Sequence, residues 1–153
     1  MSSHSATIHW ARGEQPFLDR RYSRAHVWRF DGGAEVPASS SPQVVRVPMS
    51  DASAVDPEEA FVASLSSCHL LWFLDLACRA GWCVDSYRDE AEGHMVNGAD
   101  GKPWIAQVLL RPEVRFGGPR QPDAATVAQL HHQAHDECFL ARSVRSEVIV
   151  QPR

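Results

Sequence analysis

Residues 56–81 read DPEEAFVASLSSCHLLWFLDLACRAG and decide the fold, because they predict one long helix. The Asp-Pro-Glu-Glu sequence supplies an N-cap, a proline at the first helical position and two carboxylates at the positive end of the helix dipole. The helix is expected to run to about Arg79 and to end at Gly81, since glycine readily adopts the left-handed conformation of a helix stop.

This segment is apolar on almost every side, which is typical of a helix buried on more than one face. Its apolar residues are Phe61, Val62, Leu65, Cys68, Leu70, Leu71, Trp72, Leu74, Leu76 and Ala77. A chain of 153 residues can hardly surround such a helix. We therefore expect a second copy of the chain to cover part of it, in a homodimer.

Short extended segments precede the helix. Residues 21–30 alternate in polarity, and two further runs, 34–37 and 43–48, flank a serine-rich loop. Such runs separated by Gly, Ser and Pro predict an antiparallel sheet. We expect its prolines at strand edges or ends.

The segment after the helix predicts a hairpin, a second helix and a last strand. Residues 84–96 and 104–116 flank a turn, Pro122-Asp123 begins a helix, and a Val-rich strand closes the chain at 144–150. The inward stripe of the second helix is Val127, Leu130, Ala134 and Cys138. The predicted order is β-β-β-α-β-β-α-β, an α+β fold with antiparallel sheets around two core helices. We expect a single domain over 1–153, with 1–20 loosely ordered.

Composition narrows the classes of function. Apolar residues make up 44% of the chain, and 15 Lys and Arg face 19 Asp and Glu, a net charge of -4. That balance argues against nucleic acid as a partner.

The longest apolar run, Leu70 to Leu74, is far short of the roughly 20 residues that span a bilayer, and Met1 to Trp10 does not resemble a signal peptide. We expect a cytoplasmic protein that is not bound to membranes.

Because we expect a cytoplasmic protein, we expect its four cysteines to be reduced thiols. Cys68 and Cys138 both lie on inward helix faces, and side-by-side packing of the helices could bring their Cα atoms within the roughly 7 Å that a disulfide needs. Two small buried apolar side chains would explain the same pattern. Cys78 and Cys83 are expected to be packing residues.

These features together resemble the OsmC/Ohr family of thiol-dependent peroxidases. The similarity rests on the Asp-Pro-Glu-Glu helix start followed nine residues later by Cys68, and on His135-Asp136-Glu137-Cys138 before a Val-rich strand. It covers the chain from about Tyr22 to Val150, and the predicted element order agrees with it.

The resemblance implies a two-cysteine reaction cycle in oxidative stress defence. Cys68 would attack an organic hydroperoxide and become a sulfenic acid, Cys138 would resolve it as a disulfide, and a dithiol donor of the lipoyl type would reset the pair. No cofactor or metal is expected in this cycle.

The resemblance also implies an Arg paired with the Glu of the Pro-Glu motif, which is Glu58 here. Ten helical residues, about 15 Å, separate Glu58 from Cys68, so we expect a second chain to supply it. Arg24 is the predicted arginine, because a guanidinium on an aromatic strand face needs an anion. Arg29 and Arg46 remain alternatives. Without the resemblance, Glu58 reads as an ordinary first-turn carboxylate.

We expect an apolar pocket near Cys68 that favours organic hydroperoxides over hydrogen peroxide. Its predicted lining is Phe61, Leu65, Trp72 and Phe139. Phe139 after Cys138, and His69 after Cys68, depart from the usual family pattern.

Two other classes of function stay open. His131, His135 and Cys138 follow i, i+4, i+7 spacing, and with His132 or His69 they could bind zinc. A non-enzymatic small-ligand-binding protein on the same fold is the third class.

Overall fold

The computed structural model describes residues 2–153, in which two α-helices and eight strands form. In chain order these are β1 Ala6–His9, β2 His26–Phe30, β3 Glu35–Ala38, α1 Pro57–Arg79, β4 Cys83–Asp89, β5 Glu92–Asn97, β6 Pro103–Leu110, β7 Pro112–Gly117, α2 Ala124–Glu137 and β8 Glu147–Val150. The α+β class with two helices is confirmed. The described residues contain more strands than were predicted.

The chain divides into two compact units, of which the first ends at Ala60 and the second is Phe61–Arg153. The single domain stays a prediction.

The first unit contains an antiparallel sheet in the order β1-β2-β3. Strand β1 lies within residues 1–20, where we expected loose order, and it pairs with β2 from Ala6 opposite Phe30 to His9 opposite Val27. The strand predicted at 43–48 is wrong. That segment forms turns, in which the backbone N–H groups of Val44 and Val45 donate to the carbonyl of Ser41.

Helix α1 begins and ends close to the predicted bounds for local reasons. The Asp56 carboxylate accepts a hydrogen bond from the Glu59 N–H at 2.8 Å, and the Glu59 carboxylate accepts one from the Asp56 N–H at 3.2 Å. This reciprocal capping box satisfies two donors of the first turn. At the other end Gly81 has φ 78, and the Trp82 N–H donates to the Ala77 carbonyl, as in a Schellman stop.

The second unit contains a β4-β7 pair and a β5-β6-β8 sheet. The predicted run 84–96 divides into β4 and β5, and the run 104–116 divides into β6 and β7. The break in the second run is at Arg111, whose N–H leaves the ladder and donates to the Asp89 carboxylate at 2.6 Å. Not every pair is antiparallel, because β8 runs parallel to β6.

Two clusters of buried side chains hold the second unit together. Phe73 and Ala77 of α1 pack against Leu130 and Ala134 of α2, so the two helices lie in contact. Leu65 of α1 packs in the other cluster with Val108 and Leu110 of β6. The predicted stripe of α2 is confirmed for Leu130, Ala134 and Cys138, which are buried, whereas Val127 is half-buried.

One face of α1 is apolar and uncovered within the chain. Leu71 is 63% exposed and Leu74 is 36% exposed. An 18-residue stretch of the helix has a mean hydropathy of 1.5, yet only 22% of it is buried. By length and composition alone this helix could cross a bilayer, a test that core helices of soluble proteins also pass.

Candidate active site

The two predicted redox cysteines lie together in the second unit. Cys138 directly follows α2 and is 1% exposed, and its thiol lies near the thiol of half-buried Cys68 on α1. Burial, reinforced by the neighbouring Cys68 thiol, raises the pKa of Cys138 to about 11. The Cys138 sulfur also accepts a hydrogen bond from the Ala141 N–H at 3.4 Å. All four cysteines are free within residues 2–153.

Cys78 and Cys83 are exposed in the chain. The prediction that they are packing residues is therefore wrong, because neither side chain is buried within a single chain. Their position at the end of α1 and the start of β4 places both sulfurs at the surface of the second unit.

Arg24 is half-buried in the first unit but is not held as predicted. It precedes β2, and its Nη1 donates to the backbone carbonyls of Arg20, at 2.9 Å, and Tyr22. The guanidinium lies 3.8 Å from the centre of the Tyr22 ring, within cation-π range. No carboxylate pairs with Arg24 in the described part of the chain. Backbone carbonyls and an aromatic ring take the place of the expected anion.

Arg24 and Glu58 line the same cavity in the first unit, which has a volume of 490 Å³. Three aromatic side chains in contact form much of its wall, with Phe17 4.5 Å and Trp10 5.5 Å from Tyr22 between ring centres. The cavity therefore combines one cation, one carboxylate and an aromatic wall. A molecule with an apolar body and a polar group fits this chemistry.

The alternative arginines lie elsewhere. Arg29 forms an ion pair with Glu35 at 2.6 Å on the exposed side of the β2-β3 pair. Arg46 is exposed in the turns that replace the predicted strand. Among the described residues, neither Arg29 nor Arg46 lines the cavity that contains Glu58. Of the three candidate arginines, Arg24 is the one that lines it.

Two buried histidines lie between α1 and α2, and sequence reasoning missed their contact. His69 Nε2 is 3.1 Å from His131 Nδ1, and the rings are stacked with centres 5.4 Å apart. Burial, together with the nearby His131 and His135, lowers the pKa of His69 to about 4, and burial lowers the pKa of His131 to about 4. Both imidazoles are therefore neutral at pH 7.

The residues predicted as zinc ligands do not form a metal centre. Across residues 2–153, no group of three or more His, Cys, Asp or Glu side chains is placed to hold a metal ion. His132 instead contacts Asp136 at 3.4 Å on the surface of α2. One nitrogen of each of the two histidines, His69 Nε2 and His131 Nδ1, contacts the other, so these two atoms do not share a metal ion.

The apolar pocket predicted from Phe61, Leu65, Trp72 and Phe139 is not formed as one site within the chain. Phe61 and Leu65 pack in the cluster against β6, whereas Trp72 packs in the cluster between the helices. Trp72 contacts the exposed Phe139 edge-on, with ring centres 5.5 Å apart. Phe139 is thus a surface side chain beside the buried Cys138.

A model of the family described as OsmC-like protein matches residues 50–153, about two thirds of the sequence. The chain belongs to the OsmC-like protein family. The matched residues include Glu58, Cys68 and Cys138, while Arg24 lies before them. The resemblance inferred from the sequence is thereby confirmed.

Several solved structures share this fold. An OsmC-like protein of unknown function from Vibrio cholerae O1 biovar eltor is 47% identical over 100% of both chains, with a TM-score of 0.98. An organic hydroperoxide resistance protein from Elizabethkingia anophelis is 15% identical over 99% of this chain and 94% of its own, with a TM-score of 0.72. The organic hydroperoxide resistance protein OhrB of Bacillus subtilis is 16% identical over 99% and 98%, with a TM-score of 0.68. A search of the curated proteins found no match.

Proposed function

We propose that this protein is a cysteine-based peroxidase that reduces organic hydroperoxides. The observation that carries the proposal is the proximity of two free thiols, those of Cys68 and Cys138, in the core of the second unit. Membership of the OsmC-like family and a fold shared with organic hydroperoxide resistance proteins support the same function.

The environments of the two thiols suggest different roles. Cys138 is almost fully buried, and burial raises its pKa to about 11, so it stays protonated at neutral pH. Half-buried Cys68 is also the more accessible sulfur. Cys68 is therefore the nucleophile, and Cys138 acts second.

The reaction then follows a balanced two-cysteine cycle. The Cys68 thiolate attacks the terminal oxygen of ROOH, the O–O bond breaks, and the alkoxide leaves and takes up a proton as ROH. The Cys138 sulfur, after losing its proton, attacks the Cys68 sulfenic acid, which releases hydroxide and forms the disulfide. A dithiol donor of the lipoyl type reduces this disulfide and becomes a disulfide itself.

Arg24 and Glu58 act from a second chain in this proposal. The ten helical residues between Glu58 and Cys68 span about 15 Å, so the Glu58 of the same helix does not reach the thiol. In a homodimer that covers the uncovered face of α1, the 490 Å³ cavity of one protomer would face the thiols of its partner. Its aromatic wall would hold the organic part of the hydroperoxide, and the Arg24 guanidinium would favour the thiolate. The setting we propose is oxidative stress defence in the cytoplasm.

The test is hydroperoxide consumption by single-cysteine variants, with a dithiol donor present. Cys68→Ser should lose activity, and Cys138→Ser should leave a sulfenic acid on Cys68 that dimedone traps. Cys78→Ser and Cys83→Ser, which change exposed thiols outside the pair, are the matched controls and should keep activity. Full activity of Cys68→Ser, or rates with hydrogen peroxide equal to those with cumene hydroperoxide, would contradict the proposal.

A further inference from the structure

The backbone of Arg24, just before β2, is hydrogen-bonded on both sides. Its N–H donates to the Met49 carbonyl at 2.8 Å, and its carbonyl lies 2.7 Å from His26 Nδ1. The Arg24 guanidinium donates to the carbonyls of Arg20 and Tyr22, so the side chain folds back along its own segment. The position of the Arg24 backbone therefore sets where the guanidinium lies in the first unit.

The two partners of the His26 ring fix its tautomer. A carbonyl only accepts hydrogen bonds, so His26 Nδ1 carries a proton and donates to Arg24. An indole N–H only donates, and Trp28 Nε1 lies 2.9 Å from His26 Nε2, so that nitrogen is unprotonated. A neutral imidazole has one donor and one acceptor nitrogen, and these contacts use both. They agree on one neutral form of His26, protonated on Nδ1.

Trp28 connects this contact to the middle of a sheet. His26 and Trp28 are two residues apart on β2, so their side chains lie on the same face. Strand β2 is central in its sheet, and Trp28 pairs with Ile8 of β1 and Val36 of β3. Both rings are half-buried, with centres 6.2 Å apart. A strand paired on both sides therefore supports the His26 ring, which in turn supports the Arg24 carbonyl.

His26 also belongs to the cavity that the proposed reaction uses. It lines the 490 Å³ cavity together with Arg24 and Glu58. Both of its ring nitrogens have partners among residues 2–153, so neither is left to exchange a proton with a substrate. This arrangement favours a positioning role for His26 over acid-base catalysis.

We propose that His26 is a positioning residue for Arg24. Its Nδ1–H, in the tautomer that Trp28 selects, holds the Arg24 backbone so that the guanidinium stays on the wall of the cavity. A group that is held in place before the reaction loses less entropy when it acts on a bound reactant. The effect on reaction rate rests on the proposed function, whereas the hold on Arg24 does not.

The first measurement is independent of peroxidase activity. In the full chain with ¹⁵N-labelled histidines, His26 should show a protonated Nδ1 and an unprotonated Nε2, and Trp28→Phe should lose this preference. The Arg24 amide, which donates to Met49, should exchange its hydrogen about two- to tenfold faster in His26→Phe, as the loss of one hydrogen bond predicts. His94→Phe, at an exposed position of β5, is the matched control and should exchange like the wild type.

His26→Asn is the conservative variant. Its side-chain amide N–H can take the place of His26 Nδ1–H and donate to the Arg24 carbonyl. Slow exchange of the Arg24 amide should therefore return in this variant, although the imidazole is gone.

The second measurement is the rate of Cys68 oxidation by cumene hydroperoxide. His26→Phe should lower this rate about two- to tenfold, and His26→Asn should restore it to within about twofold of the wild type. In an Arg24→Met background, His26→Phe should cause no further loss, because the group that it positions is absent. A general loss of structure would lower the rate in both backgrounds.

The outcomes separate this inference from the proposed function. A wild type without peroxidase activity would contradict the proposed function, and the His26 tautomer and the Arg24 exchange rate would still decide the role of His26. A His26 protonated on Nε2, unchanged exchange in His26→Phe, no rescue by His26→Asn, or equal rate losses with and without Arg24 would overturn the positioning role. If His26→Phe does not fold, Trp28→Phe, which keeps an aromatic ring and removes the partner of Nε2, should show the faster Arg24 exchange, and wild-type exchange there would overturn it.

Discussion

The buried Cys138 thiol at the end of α2 lies near the Cys68 thiol in the middle of α1. This proximity depends on the packing of Phe73 and Ala77 against Leu130 and Ala134, which holds the two helices side by side. The same packing places a neutral His69–His131 pair between those helices. The core of the second unit thus positions both the proposed redox pair and the buried histidine pair.

The first prediction concerns Arg24. Arg24→Met should lower the rate of Cys68 oxidation by cumene hydroperoxide about tenfold or more at pH 7, because a nearby cation lowers a thiol pKa by about 1–3 units. Stopped-flow measurement of sulfenic acid formation checks this. Arg29→Met, which breaks the exposed ion pair with Glu35, is the control and should react at the wild-type rate. Equal rates in the two variants would remove Arg24 from the site.

The second prediction concerns the uncovered face of α1. The wild type should sediment as a dimer, and the double variant Leu71→Glu and Leu74→Glu should shift toward monomer, since it places carboxylates in an apolar interface. Lys102→Glu, at an exposed turn, is the charge control and should stay dimeric. Peroxidase activity should fall together with dimerisation. A monomeric wild type with full activity would contradict the composite site.

The third prediction is acid destabilisation by the buried histidine pair. The pKa values of His69 and His131 are lowered from 6.5 to about 4 in the folded chain, so the unfolded chain binds protons more readily below pH 6.5. Their contribution to stability is present above pH 6.5 and is lost as the pH falls toward 4. In that range the free energy of unfolding should fall as the pH falls, because the unfolded chain binds more protons than the folded chain.

Urea unfolding at several pH values measures this slope. The double variant His69→Leu and His131→Phe should show a shallower slope between pH 6.5 and 4, because it replaces both partners with apolar groups. His94→Gln changes an exposed histidine and should keep the wild-type slope. A wild-type slope in the double variant would show that other groups cause the acid sensitivity.

Local signals explain what could be predicted from the sequence. The bounds of α1 depend on Asp56, Glu59 and Gly81, whose capping contacts lie within a few residues. The redox pairing of Cys68 with Cys138 stays a prediction, made because each residue follows the apolar pattern of its own helix. The helices and the fold class were predicted correctly, because capping residues and apolar spacing are local features of the sequence.

The missed features depend on contacts between distant segments. The parallel pairing of β6 with β8 and the break at Arg111 follow from tertiary packing, which periodicity does not encode. The turns at 43–48 replace a strand despite apolar residues there. The contact of His69 with His131 depends on how each helix is oriented about its own axis. The spacing of residues within one helix does not determine that orientation.

The most direct test of the central claim is a titration of the fully reduced protein with cumene hydroperoxide in the absence of any reductant. One equivalent per chain should be consumed, with loss of two thiols, and peptide mapping should find a Cys68–Cys138 disulfide while Cys78 and Cys83 stay free. Consumption of no peroxide, or a disulfide that leaves out Cys68 or Cys138, would contradict the account.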